Sequence, residues 1–175
     1  MKNYPRIYSL STLGLIHHYE NDYLFHNMRT DFVGDSGSGK SIIADLLQLI
    51  FVGSEMFESA TRTMDEKREL DGLVLRTPHK GIDIGYAFLN IEIQSRHYIV
   101  IGCYLESNSK RTKPFIIQGS SDPKANLLPI GQPLQTKDFK REGNICPLDD
   151  LLSQMEEKGL FLSYWETVKP YHRIL

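Results

Sequence analysis

The stretch Gly34-Asp35-Ser36-Gly37-Ser38-Gly39-Lys40-Ser41 decides how this chain is read. It has the form G-x-x-x-x-G-K-[ST], in which a glycine-rich turn brings backbone N–H groups to a phosphate. Gly34, Gly37 and Gly39 allow backbone angles that a side chain forbids, so successive amides turn inward around an anion. Asp35, Ser36 and Ser38 fill the turn between them. A helix starting at Lys40 adds unpaired N–H groups and the positive end of its dipole at the same point. Lys40 is the candidate catalytic residue, placed to reach the β- and γ-phosphates of a bound triphosphate. The Ser41 hydroxyl is placed to take one position on Mg²⁺.

Outward from the octet, Met28 to Val33 reads as a short buried strand. Lys40 to Phe51 reads as a helix carrying Ile42, Ile43, Leu46, Leu47, Leu49 and Ile50. Gly53 is placed to end that helix in a left-handed conformation. Further back, Ile7 to Ile16 reads as a strand and Tyr23 to Phe25 as a second, with Glu20-Asn21-Asp22 as the turn between them. His17 and His18, adjacent on a strand, would point to opposite faces. They have no acidic or cysteine partner at ligand spacing, so the pair reads as structural or solvent-facing. Tyr19 or Tyr23 is a candidate to stack on an adenine ring.

Ser54 to Leu70 is charged and reads as an exposed loop or surface helix, with Arg62, Lys67 and Arg68 as candidates to touch a nucleic-acid backbone or a γ-phosphate. From Gly81 the period becomes two. Ile82 to Ile93, Tyr98 to Glu106 and Pro114 to Gln118 read as an antiparallel meander. Ser120 to Gly143 reads as a long surface connection. Pro147 to Gly159 has a proline and acids at its start, leucines at helical spacing and a glycine stop, which predicts a short amphipathic helix. Phe161 to Trp165 is an aromatic cluster.

The bulk properties restrict the function classes. With 175 residues, 41% of them hydrophobic, the chain can bury one core, as a single domain over residues 1–175. A net charge of -2 gives no overall basic field for nucleic acid or an acidic membrane, so any DNA contact is local or borne by other segments. Cys103 and Cys146 lie far apart and read as small hydrophobes, not as a disulfide or a zinc site. The N-terminus lacks the apolar run of a signal peptide, and no stretch approaches the ~20 apolar residues of a membrane span. The chain reads as cytoplasmic.

Taken together, the phosphate loop, the helix SIIADLLQLIFVG, the antiparallel meander and the leucine-rich helix resemble the N-terminal lobe of an SMC-type ATPase head. This is the ABC-like group that includes RecN-like and RecF-like proteins. Gly37 to Ser41 match the family's Gly-Ser-Gly-Lys-Ser in full, Asp45 stands in the place of its helix aspartate, and Gly34-Asp35-Ser36 replaces its Gly-Pro-Asn. The resemblance implies an α/β P-loop NTPase fold, ABC/SMC-head-like, with an antiparallel meander and few helices. It implies ATP and Mg²⁺ as cofactors on Gly34, Gly37, Gly39, Lys40 and Ser41. Gln118, followed by Gly119, resembles the family's Q-loop glutamine and is a candidate Mg²⁺ ligand, although it closes the meander, where a plain strand edge is the other reading.

The resemblance also implies an incomplete head lobe. No hydrophobic strand ends in the expected Asp-Glu pair, no Leu-Ser-Gly-Gly signature is present, and Leu105-Glu106 is a poor substitute. A missing C-terminal lobe or a second head is therefore an expected partner, and DNA is met by the full assembly. An exposed sheet edge and apolar patch should drive self-association or binding to a partner chain. Two other functions stay open: a self-contained small P-loop kinase acting on a metabolite or nucleoside, and a non-enzymatic module that retains the loop.

Overall fold

The computed structural model describes residues 4–27, 29–59, 70–78, 81–120 and 127–175. In chain order the strands and helices are β1 (Arg6–Leu15), β2 (His18–Leu24), α1 (Lys40–Val52), β3 (Ile84–Gln94), β4 (His97–Glu106), β5 (Lys113–Gln118), β6 (Lys140–Arg141), β7 (Asn144–Ile145), α2 (Leu148–Glu157), β8 (Phe161–Tyr164) and α3 (Val168–His172). Six of the strands form one sheet in the order β2-β1-β3-β4-β5-β8, with every neighbouring pair antiparallel. The hairpin β6–β7 stands apart as a second, two-stranded sheet.

Side-chain alternation explains how this sheet is covered on both faces. On β3 and β4, Ala87, Leu89, Ile99, Ile101, Cys103 and Leu105 point to one side, where they meet Ile42, Ile43, Leu46 and Leu49 of α1 and Tyr171 of α3. Tyr86, Phe88, Val100 and Tyr104 point to the other side and pack against Leu148, Leu151 and Met155 of α2. With helices on both faces, β3 reads as a nearly continuous apolar run, as expected for a strand buried on both sides. On β1 the alternation shifts at a bulge between Ile7 and Ser9 and again at Gly14. Leu13 belongs to the α2 side and Leu15, two residues on, to the α1 side. Between them Gly14 has φ 72°, and a Cβ there would collide with the Ile84 carbonyl oxygen.

This architecture corrects the expected fold class. The α/β P-loop NTPase fold, ABC/SMC-head-like, is replaced by a mostly antiparallel sheet with three short helices. Among the described residues there is no parallel strand pair and no Rossmann-like arrangement. The physical reason lies in the connections. Most sequential strands are joined by turns too short for anything but antiparallel neighbours, and among the described residues no helix crosses over between parallel strands. The predicted strand before the phosphate loop is also absent: Arg29 to Val33 form none, and Val33 is 90% exposed. Met28 lies outside the described residues.

Other boundaries move for local reasons. The first hairpin turns at Ile16-His17, not at Glu20-Asn21-Asp22, because His17 takes the left-handed position at φ 60° and Leu15 pairs with His18. The Ser120–Gly143 connection is not only surface. It contains a 3₁₀ turn, Thr136–Phe139, whose Phe139 is fully buried and stacks on Phe88 with ring centroids 4.2 Å apart. The helix predicted from Pro147 to Gly159 forms as α2, with Pro147 at its N-cap and Gly159 at φ 71° just past its end. The aromatic cluster becomes the edge strand β8.

Candidate functional site

The glycine octet forms a tight loop that leads into α1. Gly37 and Gly39 sit at φ 84° and 86°, and the Ser38 N–H closes a turn onto the Asp35 carbonyl at 3.2 Å. Gly34 to Ser38 are exposed, Gly39 is buried, and Ser41 in the first turn of α1 is half-buried. Gly39 is the N-cap residue of α1, and no side chain caps that end. The first N–H groups of a helix have no intrahelical acceptors, and here no acidic side chain in the first turn offsets the positive end of the dipole.

Lys40 bends back over the loop. Its Nζ donates to the carbonyls of Gly34 at 2.5 Å and Asp35 at 2.6 Å, and to Ser38 Oγ at 3.3 Å. The ammonium is thereby held beside the loop amides, while its side chain remains exposed. The sequence-predicted residues Gly34, Asp35, Ser36, Gly37, Ser38, Gly39, Lys40 and Ser41 thus form one loop and helix start, exposed from Gly34 to Ser38 and at Lys40. Its donors are main-chain amides, one ammonium and serine hydroxyls, which suit an anion with several oxygens.

Gln118 does not join this cradle. It is buried at the end of β5, pairs with Phe161 of β8, and its Oε1 accepts the Leu128 N–H at 3.0 Å. Asp45 is buried on α1, and Ser59 Oγ donates to its Oδ2 at 3.2 Å. Tyr19 is half-exposed. Arg62, Lys67 and Arg68 lie outside the described residues. Cys103 and Cys146 are free and buried.

Three side chains meet around the loop from β2 and from the segment entering it: His18 and Phe32, which sequence reasoning did not assign to the site, and Tyr23, which it named only for stacking on adenine. His18, only 7% exposed, places Nε2 at 2.9 Å from the Gly39 carbonyl and Nδ1 at 2.7 Å from the Tyr23 hydroxyl. Tyr23 meets Phe32 edge-on with centroids 5.6 Å apart. Burial raises the Tyr23 hydroxyl above its ordinary pKa, which keeps it a proton donor. The sequence pointed to Tyr23 only as a candidate for adenine stacking, and for His18 it gave no signal beyond its place shortly before the octet.

Among the described residues, no three His, Cys, Asp or Glu side chains gather as a metal-binding group. The hydroxyl donor at Ser41 still fits Mg²⁺, because that ion takes one or two protein ligands and fills its shell with phosphate oxygens and water. No helix of the described residues is long and apolar enough to cross a membrane. Compared with protein-family models and with curated proteins, the chain matches none.

Proposed function

We propose that the chain binds ATP with Mg²⁺ on Gly34 to Ser41. In this reading it serves in the cytoplasm as the nucleotide-binding part of an SMC-like ATPase assembly acting on DNA, in repair, chromosome or plasmid maintenance, or defence against foreign DNA. The observation that carries the ATP-binding step is the position of Lys40. Its ammonium already lies against the loop, held by carbonyls that phosphate oxygens can replace, at an uncapped helix N-terminus. Ser41 then offers its hydroxyl to the Mg²⁺ that a nucleotide brings.

The SMC-like assignment is supported by the full match of Gly37 to Ser41 to that family's loop. The carboxylate that activates water, and the contacts to DNA, come in this reading from a C-terminal lobe or a second head. Exposed apolar side chains support the need for such a partner: Val33, next to the loop, is 90% exposed, and Leu24 at the end of the edge strand β2 is 67% exposed. A self-contained small kinase has less support, since such enzymes alternate helices with parallel strands.

The test is calorimetric titration of the purified chain with ATP in the presence and absence of Mg²⁺, alongside phosphate release. Mg²⁺-dependent binding with little turnover is expected. Lys40→Ala should weaken binding by about 10- to 100-fold, the worth of one or two charged hydrogen bonds. Unchanged affinity in the variant would overturn the phosphate-loop reading.

A further inference from the structure

The strand β2 holds the phosphate loop at both ends. Upstream, the Tyr23 ring lies edge-on to Phe32, two residues before Gly34. Downstream, His18 reaches the last glycine of the loop at the Gly39 carbonyl. The two anchors are joined to each other, since the Tyr23 hydroxyl meets His18 Nδ1 and the rings sit edge to face with centroids 5.9 Å apart.

Proton positions follow from the partners. A carbonyl oxygen can only accept, so His18 Nε2 carries a hydrogen and donates it to Gly39. In the neutral ring Nδ1 is then the acceptor, and the Tyr23 hydroxyl donates to it. The fit at Gly39 is close. A Cβ there would stand 2.7 Å from His18 Nε2 and 2.8 Å from His17 Cβ, so the residue must be glycine for this contact as well as for its φ of 86°.

The orientation of one peptide is thereby fixed. The Gly39 carbonyl accepts from His18 and from the Ile42 N–H at 2.9 Å, and so it points back along α1. In a planar trans peptide the following N–H points the opposite way. The Lys40 N–H is therefore aimed out of the helix N-terminus, where a phosphate would arrive.

We propose that His18 is a positioning residue: by holding the Gly39 carbonyl it sets the loop amides for phosphate, and it makes the β1–β2 hairpin a handle on the nucleotide site. The phosphate half of this proposal rests on the ATP-binding reading above. His18 does not touch the nucleotide in it.

Two variants separate donor from shape. His18→Phe keeps a ring but loses the Nε2 donor, whereas His18→Gln keeps an amide N–H at nearly the same reach. MgATP titration of the full chain should show a loss of about tenfold in His18→Phe. In His18→Gln the affinity should return to within about threefold of the parent, a rescue that a merely structural role for the ring would not give. Equal affinities in His18→Phe and the parent would overturn the proposal, as would equal losses in both variants.

A second readout needs no nucleotide. Amide hydrogen exchange of the nucleotide-free chain, followed by NMR, should quicken at Ile42 in His18→Phe and stay at the parent rate in His18→Gln. If the parent fails to bind MgATP, the ATP-binding reading falls and with it the phosphate half, while this exchange measurement still decides whether His18 holds Gly39. Unchanged Ile42 exchange in His18→Phe would overturn that claim too.

Discussion

On strand β3, Gly85 to Asn90 are buried without a break, whereas Gly34 to Ser38 of the phosphate loop are all exposed. The two regions are built on different terms. β3 is held by neighbours on both edges and by side-chain packing on both faces, so its residues are chosen for volume and alternation. The loop is held by backbone geometry and a few hydrogen bonds, with Lys40, His18 and Tyr23 supplying the side chains. In the proposed reading, stability and ligand chemistry are thereby separated in one chain, and changes in one region should leave the other largely intact.

The largest effect should come from the sheet. Phe88 is fully buried and stacked on Phe139, so Phe88→Ala should cost about 3–5 kcal/mol in urea unfolding. A loss below about 1 kcal/mol would mean that the Thr136–Phe139 turn does not pack as described.

A smaller effect should follow from pH. Cys103 is fully buried, and burial pushes its thiol up to about 12 from a starting value of 9.0. Burial raises the hydroxyls of Tyr86 and Tyr171 in the same direction. The unfolded chain therefore releases these protons first. Their contribution is full below pH 9 and is lost as pH rises from 9 toward 12. By pH 10 the Cys103 share should be on the order of 1 kcal/mol, read as a fall in the urea midpoint that Cys103→Ala reduces. A midpoint equal at pH 8 and pH 10 would contradict the dry packing of this face.

The smallest effect on stability should come from the loop. Lys40→Ala, which is expected to weaken ATP binding strongly, should shift the unfolding free energy by no more than about 0.5 kcal/mol, because the side chain is exposed. A large destabilisation would erase the separation between the two regions.

The same contrast explains what could be read from the sequence. The β3–β4–β5 meander was legible because alternation is a chain-local signal, and the register pairs Ile91 with Ile99 and Ile101 with Ile116 across it. The octet's backbone was legible because its glycines lie within eight residues, and Gly37 and Gly39 take positive φ just ahead of the helix that starts at Lys40. The run Glu20-Asn21-Asp22 looked like a turn but lies in β2, where Asp22 accepts from Ser11 Oγ at 2.5 Å and from the Thr136 N–H at 3.1 Å. Thr136 is 114 positions away, and no local pattern announces it. The supposed strand from Met28 to Val33 failed for the converse reason. Phe32 and Val33 have the right composition, but a strand also needs a neighbour, and none of the sheet's strands pairs with Arg29 to Val33. His18 was read as structural or solvent-facing and Tyr23 only as a candidate to stack on adenine, because their contacts with Gly39 and Phe32 exist only once β2 and the loop have come together.

Hydrogen–deuterium exchange of the chain with and without MgATP tests the central claim most directly. Slower exchange confined to Gly34 through Ile43, with β3 and β4 unchanged, is the predicted result. Unaltered exchange in the loop at saturating MgATP, or protection that appears only elsewhere in the chain, would contradict it.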